Sequence, residues 1–132
     1  MKNRKRSAQA LAILGAVAML VSAAFHGTLG YQGVVAGLAG KGVDPTILAA
    51  LKAIWLIVSW HWIAIAILVL ASSFGRTAPW KVILSVCGIA VIGDALGAFA
   101  AIGAFVGDEL LAIAGVGILA AAALFPPPPA NH

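Results

Sequence analysis

Asp94 sits in the apolar run Ile89-Ala90-Val91-Ile92-Gly93-Asp94-Ala95-Leu96-Gly97-Ala98-Phe99. A carboxylate near the middle of a bilayer costs roughly 3 kcal/mol or more, so it faces a partner, a wet cavity or a working site. A second polar residue, His61, lies in the run Trp60-His61-Trp62-Ile63-Ala64-Ile65. At about 1.5 Å of rise per residue, Asp94 lies about 20 Å above an inner face marked by Lys81. Counted down from Lys52, His61 lies about 18 Å above the same face in a hydrocarbon core of about 30 Å. The two are level, and a His61 N–H donating to Asp94 relieves the cost of both. Such a pair serves either as a proton relay or ligand site, or as a hydrogen bond that fixes helix register. The second use is the commoner one in membrane bundles.

Other residues carry weaker signals. His26 lies about 27 Å along the first apolar stretch and is expected near the outer interface, bonded to loop carbonyls or headgroups. Its depth differs from that of His61 by about 9 Å, which suits two axial ligands of one haem poorly. A haem b or quinone site is therefore kept only as an alternative, and no cofactor is expected. Trp55, Trp60 and Trp62 crowd the second stretch. They are packing bulk or an aromatic wall beside a flat ligand, with Trp55 and Trp62 on one face. Gly93 and Gly97 form a GxxxG spacing that Ala101 continues, a small-residue face suited to close helix contact. Ser59, Ser85 and Cys87 have no base at motif spacing. There is no phosphate-binding loop, HExxH, GxSxG or dinucleotide fingerprint, so no enzyme is expected. The lone Cys87 excludes an internal disulfide, and no Cys/His cluster has zinc spacing, so no metal is expected either.

These residues belong to a chain of 132 residues that is 63% hydrophobic and 9% charged. A soluble domain carries about 25% charged residues, so the solvent of this chain must be lipid. The absence of a strand pattern, together with the stretch lengths, predicts an all-α integral membrane bundle of four transmembrane helices. The expected spans are 8–29, 46–73, 80–105 and 110–125, making one domain over 8–125. A basic tail, 1–7, precedes it and a Pro-rich tail, 126–132, follows. Asp44 can cap the second helix and Pro45 suits its first turn. The segment 30–43 reads equally as a loop, an interfacial helix or an extension of the first helix. Lys52 snorkels to the outer interface. Lys2, Arg4, Lys5, Arg6, Arg76 and Lys81 fall on one side, which predicts cytoplasmic termini in a bacterial inner membrane. A cleaved signal peptide ending near Ala24 is the competing reading, although the apolar run is long for one.

In size and span count the chain resembles the small multidrug resistance exporters. That family uses a membrane-embedded glutamate in its first helix. Here no acid lies between Ala8 and Leu29, so the family's central chemistry does not carry over. The segments Phe25-His26-Gly27 and Ser59-Trp60-His61-Trp62 resemble uncharacterised small four-helix bacterial membrane proteins, which implies a fold but no activity. The resulting expectation is a non-enzymatic protein that packs against itself or serves as an accessory subunit of a larger membrane complex. Its partners are membrane lipid, further copies of itself or other membrane subunits, and not nucleic acid. The alternative is a proton-coupled transporter or redox-linked protein using His61 and Asp94.

Overall fold

A computed structural model describes residues 2–74, 80–104 and 106–125. The segment 75–79, with Arg76, and the expected Pro-rich tail lie outside the described residues. The fold is all-α, in the order α1 (Lys2–Phe25), α2 (Pro45–Phe74), α3 (Trp80–Ile102) and α4 (Val106–Leu124). All four are long and apolar enough to cross a membrane, and the chain is a membrane protein on that ground.

Local chemistry sets the helix ends. Asp44 Oδ1 accepts the N–H groups of Thr46 at 2.7 Å and Ile47 at 3.3 Å, which caps α2 as expected, with Pro45 as its first residue. These two N–H groups hold the Asp44 carboxyl below its ordinary range. At the end of α3, Gly103 takes φ +80° and donates its N–H to Phe99 O at 2.9 Å, a left-handed cap that suits glycine.

Four boundaries differ from the sequence expectation, one being the end of α3 at Ile102 and not at 105. The basic segment is not a separate tail: it forms the first turns of α1, where Ser7 Oγ donates to Asn3 O at 3.1 Å. Lys, Arg and Gln are good helix formers, so nothing there stops the helix. The α4 helix begins at Val106, which draws Asp108 and Glu109 into its first turn. Beyond Phe25 the helix continues as a wide π-helical segment, His26–Val35, and a 3-10 turn, Ala36–Leu38. The widening shows in the Ala36 N–H, which bonds to Tyr31 O, five residues back.

Small residues decide the packing. The α1 helix lies between α2 and α4, α3 lies on α4, and α2 meets α3 only sparsely. Ala8, Ala12, Ala16, Met19 and Ala23 of α1 are buried. At Gly15 an added Cβ would come within 2.8 Å of Ile118 Cγ1, and at Gly88 within 2.7 Å of Leu119 Cγ. At Gly115 it would come within 2.6 Å of Ile92 Cγ1. These three glycines let α4 approach α1 and α3. Ser22 Oγ donates to Gly107 O at 2.7 Å, tying the start of α4 to α1.

The expected packing face of Gly93, Gly97 and Ala101 is not used within the chain. A Cβ on Gly93 or Gly97 would meet nothing within 4 Å, and Ala101 is exposed. The α3 row that meets α4 runs through Gly88 and Ile92. Gly93 lies one residue on, about 100° around the helix, and so turns toward the sparse α2–α3 side.

Candidate ligand pocket between α2 and α3

His61 and Asp94 are brought together, as a part-exposed pair and not a buried one. His61 Nε2 lies 3.3 Å from Asp94 Oδ2, an ion pair when the imidazole is protonated. The same oxygen accepts the Trp62 indole N–H at 3.0 Å. Consecutive residues of α2 therefore grip one carboxylate oxygen across the α2–α3 gap. Trp62 is buried, whereas the His61 side chain is half exposed. Oδ1 accepts no hydrogen bond from the described residues.

A second polar knot adjoins the first. His26 Nδ1 lies 3.0 Å from Ser59 Oγ, and that hydroxyl donates to Trp55 O at 3.1 Å. In the tautomer that lets the Ser59 hydroxyl donate to Trp55 O, Nδ1 of His26 carries the proton and donates to Ser59 Oγ. In the neutral imidazole, Nε2 is then a free acceptor. The ring stacks on Trp55 at 4.2 Å between centroids and meets Trp62 edge-on at 4.8 Å. The Trp55 indole N–H donates to His26 O at 2.6 Å. Gly30 makes room for this arrangement: a Cβ there would lie 3.1 Å from the Trp55 ring. The π-helical widening, a feature often found at functional sites, begins at the residue whose carbonyl Trp55 holds.

His26 is thus a pocket residue, which depth counting did not suggest. Helix continues past Leu29, and His26 falls against the Trp55 and Trp62 face of α2. The aromatic wall needs one change as well. Trp55 and Trp62 form it, while Trp60 is 69% exposed and points away. Lys52 is exposed on α2 and takes no part.

Between these groups lies a cavity of about 430 Å³, a volume in the range of small-molecule sites. His26, Trp55, Trp62 and Asp94 line it, and Gly93 and Gly97 hold it open. Asp108 lines it too, from the first turn of α4. Asp108 is 7% exposed, and its Oδ2 is buried with no hydrogen-bond partner among the described residues. It also borders a smaller cavity of about 260 Å³ between α3 and α4. His61 reaches Asp94 from outside the main cavity and does not line it. No cluster of three or more His, Cys, Asp or Glu that could hold a metal occurs among the described residues.

Ser59 and Asp108 are the members that sequence reasoning missed. Ser59 had a signal, since Trp55, Ser59 and Trp62 recur at helical spacing on one face. Asp108 had none, because its burial depends on how closely α4 is drawn between α1 and α3. The chain matches no protein-family model, no curated protein and no solved structure.

Proposed function

We propose that this chain is a non-enzymatic bacterial inner-membrane protein that holds a small ligand in the α2–α3 cavity and couples occupancy to a proton on the His61–Asp94 pair. Both termini are placed in the cytoplasm by the basic residues at Lys2–Arg6 and Lys81. The observation that carries the reading is Asp94 itself. One carboxylate both lines the cavity and contacts His61 outside it, so a ligand that engages Asp94 competes with His61 and Trp62 for the same group. His61 and Trp62 hold this carboxylate from α2, and His26 of the π-helical segment and Asp108 of α4 line the same cavity. The scaffold suits the task, because α4 binds α1 and α3 tightly while the α2–α3 side stays sparse.

Calorimetric titration of the purified protein in buffers of different ionisation heat tests the coupling. Ligand binding should release or take up protons in the natural chain, and Asp94→Asn should bind without that proton exchange, because an amide does not titrate. Proton exchange that persists unchanged in Asp94→Asn would overturn the assignment to this pair.

A second reading, in which the chain packs against itself or a larger complex, is favoured by the open row of Gly93 and Gly97. A groove without Cβ contacts accepts a neighbouring helix as readily as a ligand. Light scattering in detergent separates the two: Gly97→Leu should lower the oligomer mass on this reading and leave it unchanged on the first.

A further inference from the structure

The hydrogen-bonding inventory of the cavity is one-sided. Its side-chain donors are already spent: the Trp62 N–H on Asp94, the Trp55 N–H on His26 O, and the His26 Nδ1–H on Ser59. Its free groups are acceptors: Oδ1 of Asp94, Oδ2 of Asp108 and Nε2 of His26. Two of the three belong to carboxylates, and no Lys or Arg lines the cavity. The Asp108 oxygen is the most telling, since a buried carboxylate oxygen with no partner among the described residues carries a desolvation cost that a bound donor would remove. The remaining walls are the rings of Trp55 and Trp62 and the apolar side chains of Val34, Ile54 and Val58.

Resting on the reading of this cavity as a ligand site, we infer that its ligand is a primary ammonium carried on an apolar body. A primary ammonium brings three N–H donors and one positive charge, which complements three free acceptors and two carboxylates. Indole rings in the wall can add cation–π attraction. A quaternary ammonium of the same charge brings no donor and leaves Asp108 Oδ2 unpartnered. A quinone brings only acceptors to a cavity whose donors are taken. The ammonium can come from a free amine or from an aminophospholipid headgroup, and the chemistry recognised is the same.

Calorimetry in dodecyl maltoside micelles, which hold no ammonium, tests this with five probes. These are 2-phenylethylammonium, its N,N,N-trimethyl analogue, neutral 2-phenylethanol, and dioctanoyl phosphatidylethanolamine against dioctanoyl phosphatidylcholine. The primary ammonium should bind at least about tenfold tighter than its trimethyl analogue, a difference of about 1.4 kcal/mol. Asp108→Asn removes one of the two carboxylate charges and should narrow that preference several-fold, since Asp94 remains. Should Asp108→Asn fail to fold, Gly97→Leu, which fills open space, should abolish binding of every probe. Phosphatidylethanolamine binding in preference to phosphatidylcholine identifies a lipid source, and preference for the free amine identifies a soluble one. Equal binding of the primary and trimethyl probes, or an Asp108→Asn variant that keeps the preference in full, overturns the ammonium assignment. If 2-phenylethanol alone binds and Gly97→Leu blocks it, the ammonium assignment falls and the cavity reading stands. If no probe binds, both fall.

Discussion

At the scale of single residues, one carboxylate oxygen serves two neighbours. Asp94 Oδ2 receives the Trp62 N–H and lies in reach of His61 Nε2, so the two contacts are coupled through Asp94. A double-mutant cycle of His61→Ala with Asp94→Leu should give a coupling energy of about 0.6–1.7 kcal/mol, the measured scale of interhelical hydrogen bonds in membranes. Strict additivity would show that the contact carries no energy. Trp62→Phe keeps a ring against His26 but removes the donor. It should cost about 1 kcal/mol of unfolding free energy in a denaturant titration. Asp44 supplies the clear pH-dependent case at a helix end. Its folded pKa lies below the unfolded value because the Thr46 and Ile47 N–H groups favour the carboxylate. The cap therefore contributes in full above the unfolded value, about 3.9, and is lost as pH falls through the folded one. Amide exchange at Thr46 and Ile47 should accelerate below that range in the natural chain, after correction for intrinsic rates. Asp44→Asn should show no such pH dependence.

At the scale of elements, the glycines divide into two kinds that look alike in sequence. Gly15, Gly88 and Gly115 lie where α4 closes on α1 and α3, and an added Cβ would lie 3.2 Å or less from backbone atoms of the facing helix. Gly93 and Gly97 face open space. Gly88→Leu should therefore separate α3 from α4 and lower the thermal midpoint sharply, with a cost of about 3 kcal/mol or more. That lies at the upper end of overpacking penalties, because backbone as well as side-chain atoms are displaced. Gly97→Leu should leave the midpoint within a few degrees, because the new side chain enters the cavity. Equal losses for the two variants would mean that α2 and α3 close on each other. The π-helical segment belongs to this scale too. Gly30→Val would drive its side chain into the Trp55 ring and should disturb the His26 stack, readable as a change in near-ultraviolet circular dichroism.

At the scale of the whole molecule, the four helices are joined strongly in the order α2–α1–α4–α3, and the α2–α3 contact that closes the bundle is sparse. Such an arrangement leaves the α2–α3 side as the softest part of the bundle, since few buried contacts resist its opening. A cysteine pair placed at Val58 and Ala98, both lining the cavity from opposite helices, reports this motion. Cross-linking by bifunctional maleimides of increasing length should be suppressed when a ligand fills the cavity. The overall orientation is tested by a reporter fused after His132, which should be active only on the cytoplasmic side.

Composition and stretch length alone determined that this is an all-α membrane protein with four spans. The physical reason is simple: backbone groups in lipid must bond within their own helix, and about 20 apolar residues are needed to cross. Depth counting along helices of fixed rise was enough to bring His61 level with Asp94. The Asp44 cap was also legible, because capping chemistry is local to three or four residues. Rotation about each helix axis was not legible. It decided that Gly93 and Gly97 open a cavity while Gly88 and Gly115 close a seam, and that His26 joins Trp55 and Trp62. It also decided that Asp108 is buried beside Asp94 and not held at the surface. In a chain apolar on nearly every side no polar stripe marks the outward face, so only the fit of small residues between particular helices sets which side chains turn inward.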